Sequence, residues 1–329
     1  MALVTYAEAI VQAHREEMQR DPTVFALGTD IAQYGGSFKT TKDLWKEFGL
    51  ERLLNTPISE GGITGAALGA ALAGMRPVAD LHYIDFCTVA MDQIVQHCAK
   101  ISLMTGGHAK APLVIRVQGG GGKSNAAQHS QSLEAWFAHV PGLIVVQPST
   151  PYDAKGLLKS CIRDDNPVMF IEHKGLYNMK QEIPDGEYLV PIGVADVKRV
   201  GRDVTVVATS AMVHVALKVA STLAERGIEV EVVDPRTIFP LDEETILASV
   251  RKTHRVVVLH EAVRRHGIGA EIAAMIQEKA FDDLDAPVMR VGGKETVIAI
   301  SPILENAAIP SEADLIRAIE QVTYRSIAA

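Results

Sequence analysis

Cysteine is scarce: the 329-residue chain holds three, Cys87, Cys98 and Cys161, widely spaced and without a CxxC pair. That spacing leaves redox-motif and zinc-ribbon readings without support and points to buried thiols in a reducing cytosol. No run of Lys or Arg stands out, and the formal charge of −8 argues against a broad nucleic-acid-binding face. Long apolar stretches are missing too. The most apolar segment, 61–75, is rich in Gly and Ala and too short to span a bilayer. The N-terminal segment carries Glu8, Glu16, Glu17 and Asp21, unlike an acid-poor transit peptide, and has no signal-peptide apolar block. Fixed-period repeats and low-complexity tracts are absent from the sequence. These absences predict a soluble cytoplasmic protein, or a mature one whose targeting segment is absent, with neither a membrane nor a nucleic acid as partner.

What is there is ample core material. With 47% hydrophobic and 22% charged residues, the chain can bury two domains without disulfides or structural metals. Short β-branched runs alternate with helical patterns, which predicts an α/β fold of two parallel-sheet domains. The pattern gives a helix over 6–20, a strand over 24–28, a Gly/Ala helix from about Gly61 and a strand over 77–81. A long helix is expected from Phe86 to Met104, then a strand over 112–117 leading into a glycine-rich loop. Residues 183–193 carry Pro, Gly and Asp without helical period, so the domains are drawn as 1–185 and 186–329. In the second domain, a helix from Met212 puts Val215, Val219 and Leu223 on one face.

Several apparent motifs fail on spacing. In QGGGGKS a phosphate-binding loop would need glycine at 117, which is Val117. No G-x-G-x-x-G sits at a strand-to-helix turn. His260-Glu261 is not a zinc-protease helix, because the second histidine would have to stand at Arg264. Two residues remain. Glu60 lies where a polar turn enters the Gly/Ala helix, with Ser59 placed to cap it. There a carboxylate can simply complement the helix dipole, or apolar neighbours without a cation can raise its pKa for proton handling. His129 follows the glycine loop; it is either a surface histidine or a catalytic imidazole, whereas His139 is expected to pack or cap.

Residues 56–82 (TPISEGGITGAALGAALAGMRPVADLH), DFCTVAMDQI, AAQHSQSLEAWFAHVPGL, DAKGLLKSCIRDDNPV and DPRTIFPLD together carry a resemblance that spans essentially the whole chain. It resembles the beta subunits of thiamin-diphosphate-dependent 2-oxo acid dehydrogenases, which act on pyruvate, branched-chain 2-oxo acids or acetoin. The resemblance implies a pyrimidine-binding domain followed by a transketolase C-terminal-like domain. It also implies that Glu60 hydrogen-bonds the aminopyrimidine of thiamin diphosphate, with Phe86 packing on that ring and Ile58 lining the pocket. His82 would lie near the cofactor, and His129 would assist acyl transfer to a lipoyl arm. No Gly-Asp-Gly magnesium motif is present, since PDGEY does not fit. The implied partners are therefore an alpha subunit holding Mg2+ and the diphosphate in an α2β2 heterotetramer, a lipoyl acyltransferase core, and a small-molecule substrate. A K+ site of the family would map to the carbonyls of Leu113, Cys161, Asp164 and Asn166.

Two departures stand out. Gly28-Thr29-Asp30 replaces the family's Gly-Glu-Asp or Gly-Glu-Glu, and His82 stands where relatives often carry Gln or Met. Two rival readings remain. A split transketolase would transfer two-carbon units with the same pyrimidine half. A non-catalytic nucleotide-binding α/β protein would bind ATP through the GGGGKS loop.

Overall fold

Thr5 opens the first helix by accepting from the Glu8 backbone N–H while Glu8 reaches back to the Thr5 N–H. This reciprocal cap satisfies two end donors, and the helix, α1, runs Tyr6–Arg20 over a buried face that includes Ile10, Ala13 and Met18. The computed structural model describes residues 1–326. It comprises two compact units, residues 1–119 with 136–192 and residues 120–135 with 193–326.

In the first unit the elements are β1 (Ala2–Thr5), α1, β2 (Val24–Gly28), α2 (Leu44–Phe48), β3 (Leu53–Asn55), α3 (Glu60–Leu72) and β4 (Arg76–Leu81). Then come α4 (Ile101–Met104), β5 (Val114–Gly119), α5 (Glu134–Ala138, whose first two residues count with the second unit), β6 (Ile144–Val146), α6 (Pro151–Arg163), β7 (Val168–His173) and β8 (Lys180–Ile183). The sheet order β6-β7-β5-β4-β2-β3 is parallel throughout. Every residue of β2, β5 and β7 is buried, as expected for strands covered by helices on both faces. On one face α1 and α6 are joined by Arg163, which donates to both oxygens of fully buried Glu17 at 2.9 and 2.7 Å.

The expected helix from Phe86 to Met104 is not continuous. Ile84–Ala90 winds as a 3-10 turn, Asp92–Cys98 as a π turn, and only Ile101–Met104 is α-helical. The buried residues explain the break: Ile84, Cys87 and Ala90 recur every third position, then Ile94 and Cys98 every fourth, so the winding loosens to keep them inward. β1 was not anticipated either; it pairs antiparallel with β8, Ala2 facing Ile183.

The junction between units falls at Ile192/Gly193, downstream of the 185/186 boundary drawn from the sequence. Residues 186–192 stay with the first unit because they pack on α6. Tyr188 stacks on Tyr152 at 4.5 Å, Ser160 Oγ donates to Val190 O at 2.6 Å, and a Cβ at Gly156 would lie 2.5 Å from Val190.

The second unit holds β9 (Asp196–Arg199), β10 (Val204–Ala208), α7 (Met212–Ala224), β11 (Val230–Asp234), β12 (Thr237–Phe239), α8 (Glu243–Thr253) and β13 (Val256–Val263). It ends with α9 (Ile268–Ala280), β14 (Met289–Gly293), α10 (Pro302–Ala308) and α11 (Glu312–Thr323). Its sheet, β14-β13-β10-β11-β9, is parallel except for β9. Strand alternation feeds two cores: Val204, Val206 and Ala208 pack with α7 and α11, whereas Val207 packs with α8 and α9. Among the described residues, no helix is long and apolar enough to cross a membrane.

Two buried histidines make stability pH-dependent. Burial, then the charge of Arg116, lowers the His14 pKa to about 3; burial, then Arg290, lowers that of His260 to about 4. In the unfolded chain both take up protons near pH 6.5. Their contribution is therefore complete above that pH and is lost progressively as pH falls toward the folded values. Each contributes about 1 kcal/mol less at pH 5.5 than at pH 7.5. The urea midpoint should fall between pH 7 and pH 5.5; a midpoint unchanged at pH 5.5 contradicts this.

Candidate active site

Strands β3, β2 and β4 lie side by side and parallel, Gly28 facing both Asn55 and Asp80. The segments leaving their carboxyl ends, residues 29–43, 56–59 and 82–90, therefore open on one edge of the sheet. That edge is where open α/β sheets bind ligands. It carries Ile58, Glu60, His82 and Phe86.

Glu60 is the first residue of α3 and is half-buried. Among the described residues no side chain forms an ion pair or hydrogen bond with its carboxylate. Ser59 stands at the N-cap but its side chain makes no cap bond, contrary to expectation; it packs over the bare Cα of Gly62 instead. Phe86 is half-buried and Ile58 is 79% exposed. An unpaired carboxylate with an aromatic and an open aliphatic side chain on the same edge fits a planar, nitrogen-bearing heterocycle. Cys87, just below, is inert: burial, then the charges of Asp85 and Glu60, push its thiol up. All three cysteines are free and buried.

Behind this edge lies a charge network that the sequence reading missed. Arg116 on β5 is fully buried and donates to both oxygens of Glu172 on β7, at 2.7 and 3.0 Å. Its third arm reaches Asp80 Oδ2 on β4 at 3.0 Å. Gln118 donates to Asp80 Oδ1 at 3.1 Å, and Tyr177 to Glu172 Oε2 at 2.7 Å. Burial opposes the charge of Asp80, but Arg116, His82 and Gln118 outweigh it and hold the carboxyl well below its usual range. His82 Nε2 lies 3.1 Å from Asp80 Oδ1, and its Nδ1 lies 3.5 Å from Ser37 Oγ. The signal was available: a charge inside each of VADL, VIRV and FIEH, where apolar strands should tolerate none unpaired.

His129 is half-buried in the loop that belongs to the second unit, its N–H donating to Ala126 O at 3.3 Å. His139, expected to pack or cap, is exposed beyond α5. The loop is pinned by two carboxylates. Glu261 accepts from Gly121 N–H at 2.6 Å, and Glu305, 1% exposed, accepts from Ser124 N–H at 2.8 Å. Gly120, Gly122, Ser124 and Ala126 all have positive φ, a concave backbone that attracts anions. The anions are the protein's own side chains, so the amides a phosphate would need at Gly121 and Ser124 are taken. The ATP-binding reading of GGGGKS loses its ground.

Among the described residues, no group of three or more His, Cys, Asp or Glu is arranged to hold a metal ion. Of the four carbonyls expected for K+, three accept hydrogen bonds within the protein. Leu113 O accepts from Val168 N–H at 3.0 Å and Cys161 O from Asp164 N–H at 3.3 Å. Asp164 O takes the guanidinium of Arg76, which also donates to Ile162 O at 2.7 Å; Asn166, exposed, turns its own donors to Asp164 Oδ1. A fixed cation already meets the carbonyls at the end of α6.

Comparison with known proteins agrees with this architecture. Residues 2–180 match the transketolase pyrimidine-binding domain and residues 193–315 the transketolase C-terminal domain. The chain is 46% identical over 296 residues to the 2-oxoisovalerate dehydrogenase subunit beta of Bacillus subtilis (strain 168), covering 90% of each chain. It is 48% identical over 317 residues to the acetoin:2,6-dichlorophenolindophenol oxidoreductase subunit beta of Cupriavidus necator, covering 93% of this chain and 94% of that one. Identity to the pyruvate dehydrogenase E1 component subunit beta of Rickettsia felis is 44% over 324 residues, covering 98% and 99%. A solved structure described as a split gene transketolase, an inactive beta4 tetramer, superposes with TM-score 0.80 over 98% of each chain. At 24% sequence identity that likeness shows the fold alone.

Replacing Arg116 by Met should leave Asp80 and Glu172 buried without a counter-charge. The expected loss is about 3–5 kcal/mol in urea unfolding. A loss under about 1 kcal/mol, the range of an exposed pair, contradicts the buried network.

Proposed function

Because the chain belongs to the transketolase-like beta subunits of 2-oxo acid and acetoin dehydrogenases, we propose that it supplies the pyrimidine half of a thiamin-diphosphate site. The reaction is cleavage of a 2-oxo acid or acetoin, with transfer of the acyl group to a lipoyl arm. An alpha subunit completes the site in an α2β2 heterotetramer that docks on an acyltransferase core. The observation that carries this reading is the unpaired, half-buried carboxylate of Glu60 at the carboxyl edge of a parallel sheet.

Thiamin diphosphate, when bound, supplies the electron sink for breaking the bond beside a carbonyl. Glu60 holds a proton at the pyrimidine ring nitrogen, a role suited to a carboxyl without a competing cation. The Phe86 ring packs against the heterocycle, and Ile58 keeps water from it. His129 donates or accepts a proton during acyl transfer, on a loop whose backbone Glu261 and Glu305 hold. Magnesium and the diphosphate fall to the alpha subunit, since this chain has no Gly-Asp-Gly sequence to bind them. The split-transketolase reading has only the 24%-identical fold likeness behind it.

In the reconstituted alpha–beta complex, Glu60→Gln should lower turnover by about 10²–10⁴-fold, the range of a general acid–base group. Its thermal midpoint should stay close to that of the parent. Full turnover would rule out the role given to Glu60.

A further inference from the structure

Asp80 fixes the state of His82. The Asp80 carboxylate is 1% exposed and acceptor-only, so His82 Nε2, at 3.1 Å, carries the proton between them. That leaves Nδ1 as the edge that faces outward, toward the exposed hydroxyl of Ser37. The Nδ1–Oγ separation of 3.5 Å is at the long limit of a hydrogen bond, so this edge is poorly satisfied. The charges around the imidazole favour its protonated form. Burial lowers the His82 pKa, but the charge and hydrogen bond of Asp80, helped by Glu172, outweigh burial and Arg116 and leave it raised. Of the neighbours, Tyr83 is held neutral by burial and by the Asp85 charge, and Lys174 Nζ stands 5.1 Å from the Tyr83 ring.

With Glu60 assigned to the cofactor and Ile58 and Phe86 apolar, a polar donor on the same edge needs an explanation. A buried donor facing an alkyl group is left unpaired and penalises that ligand, whereas a matching acceptor is strongly preferred. We propose that Ser37 and His82 form a specificity-determining subsite for an oxygen-bearing side chain on a 2-oxo acid substrate, a hydroxyl or a carboxylate in place of an alkyl group. This rests on the function proposed above and names the substrate class for the same site. Nδ1–H donates to Ser37 Oγ or to the substrate oxygen, and the Ser37 hydroxyl, exposed and rotatable, donates to that oxygen as well.

The test compares matched substrates in the alpha–beta complex with thiamin diphosphate and magnesium. Pyruvate is set against 3-hydroxypyruvate, and 2-oxopentanoate against 2-oxopentanedioate. For at least one pair, kcat/KM should favour the oxygen-bearing member by about tenfold or more. His82→Met should bring that ratio close to one, and Ser37→Ala, a change at an exposed position, should lower it about threefold. For an anionic side chain the preference should also decline as pH rises and His82 loses its proton. Turnover of both pairs without preference, or a preference untouched by both substitutions, overturns the subsite and leaves the proposed function standing. No turnover of any of the four acids overturns the subsite together with the 2-oxo acid reading.

Discussion

Arg116 is the interaction on which the first unit depends. Its guanidinium sits at zero exposure between Asp80 and Glu172 and so binds the central strands β4, β5 and β7 to one another by side chains as well as backbone. Taking three charges out of water is expensive, and only near-complete pairing makes it tolerable. Here the pairing is close to complete: the bidentate contact to Glu172, the Tyr177 hydroxyl and the Gln118 amide occupy most of the available lone pairs. Such a network tolerates little sliding of one strand past another. A one-residue slip would turn Arg116 to the opposite face and strand both carboxylates.

The consequence reaches the sheet edge. A fixed Asp80 dictates which nitrogen of His82 carries hydrogen, and the fixed register sets where β4 ends and the 82–90 segment begins. His82 and the start of the 82–90 segment are therefore positioned by a layer behind them. Glu60 illustrates the other half of the arrangement. Apart from Thr64, whose buried hydroxyl makes no hydrogen bond, its neighbours in α3 are Gly, Ala, Ile and Leu, so nothing on its own helix pairs with its carboxylate. The second unit uses the same device on a loop, where Glu261 and Glu305 pin the backbone on which His129 is carried.

Much of this was legible in the sequence, for identifiable reasons. α1, β2 and the alternation of strands and helices follow from local periodicity and capping, which a single chain displays openly. Glu60, Phe86 and His129 stand out as candidates because each lies inside a motif. The 84–98 segment does not stand out, because its apolar spacing mixes three and four, which reads as an ordinary helix. The β1–β8 pairing joins residues about 180 positions apart, and no local pattern announces it. Asp80, Arg116 and Glu172 were overlooked for the same reason: each is one polar residue in its own strand, and only the sheet makes them a group. The potassium carbonyls are a different case, since any residue has a carbonyl and the sequence does not reveal that Arg76 donates to that of Asp164.

Three relatives of nearly equal identity carry names pointing to three different substrates, so overall similarity does not select among them. In the function proposed for this chain, that choice falls to the side chains at the sheet edge. All of the chemistry argued above requires that this edge receive the coenzyme's pyrimidine. A crystal structure of the alpha–beta complex with thiamin diphosphate measures that directly. The account predicts a Glu60 carboxylate oxygen within about 3 Å of a ring nitrogen. A Glu60 side chain turned to solvent, with the ring held elsewhere, would contradict it.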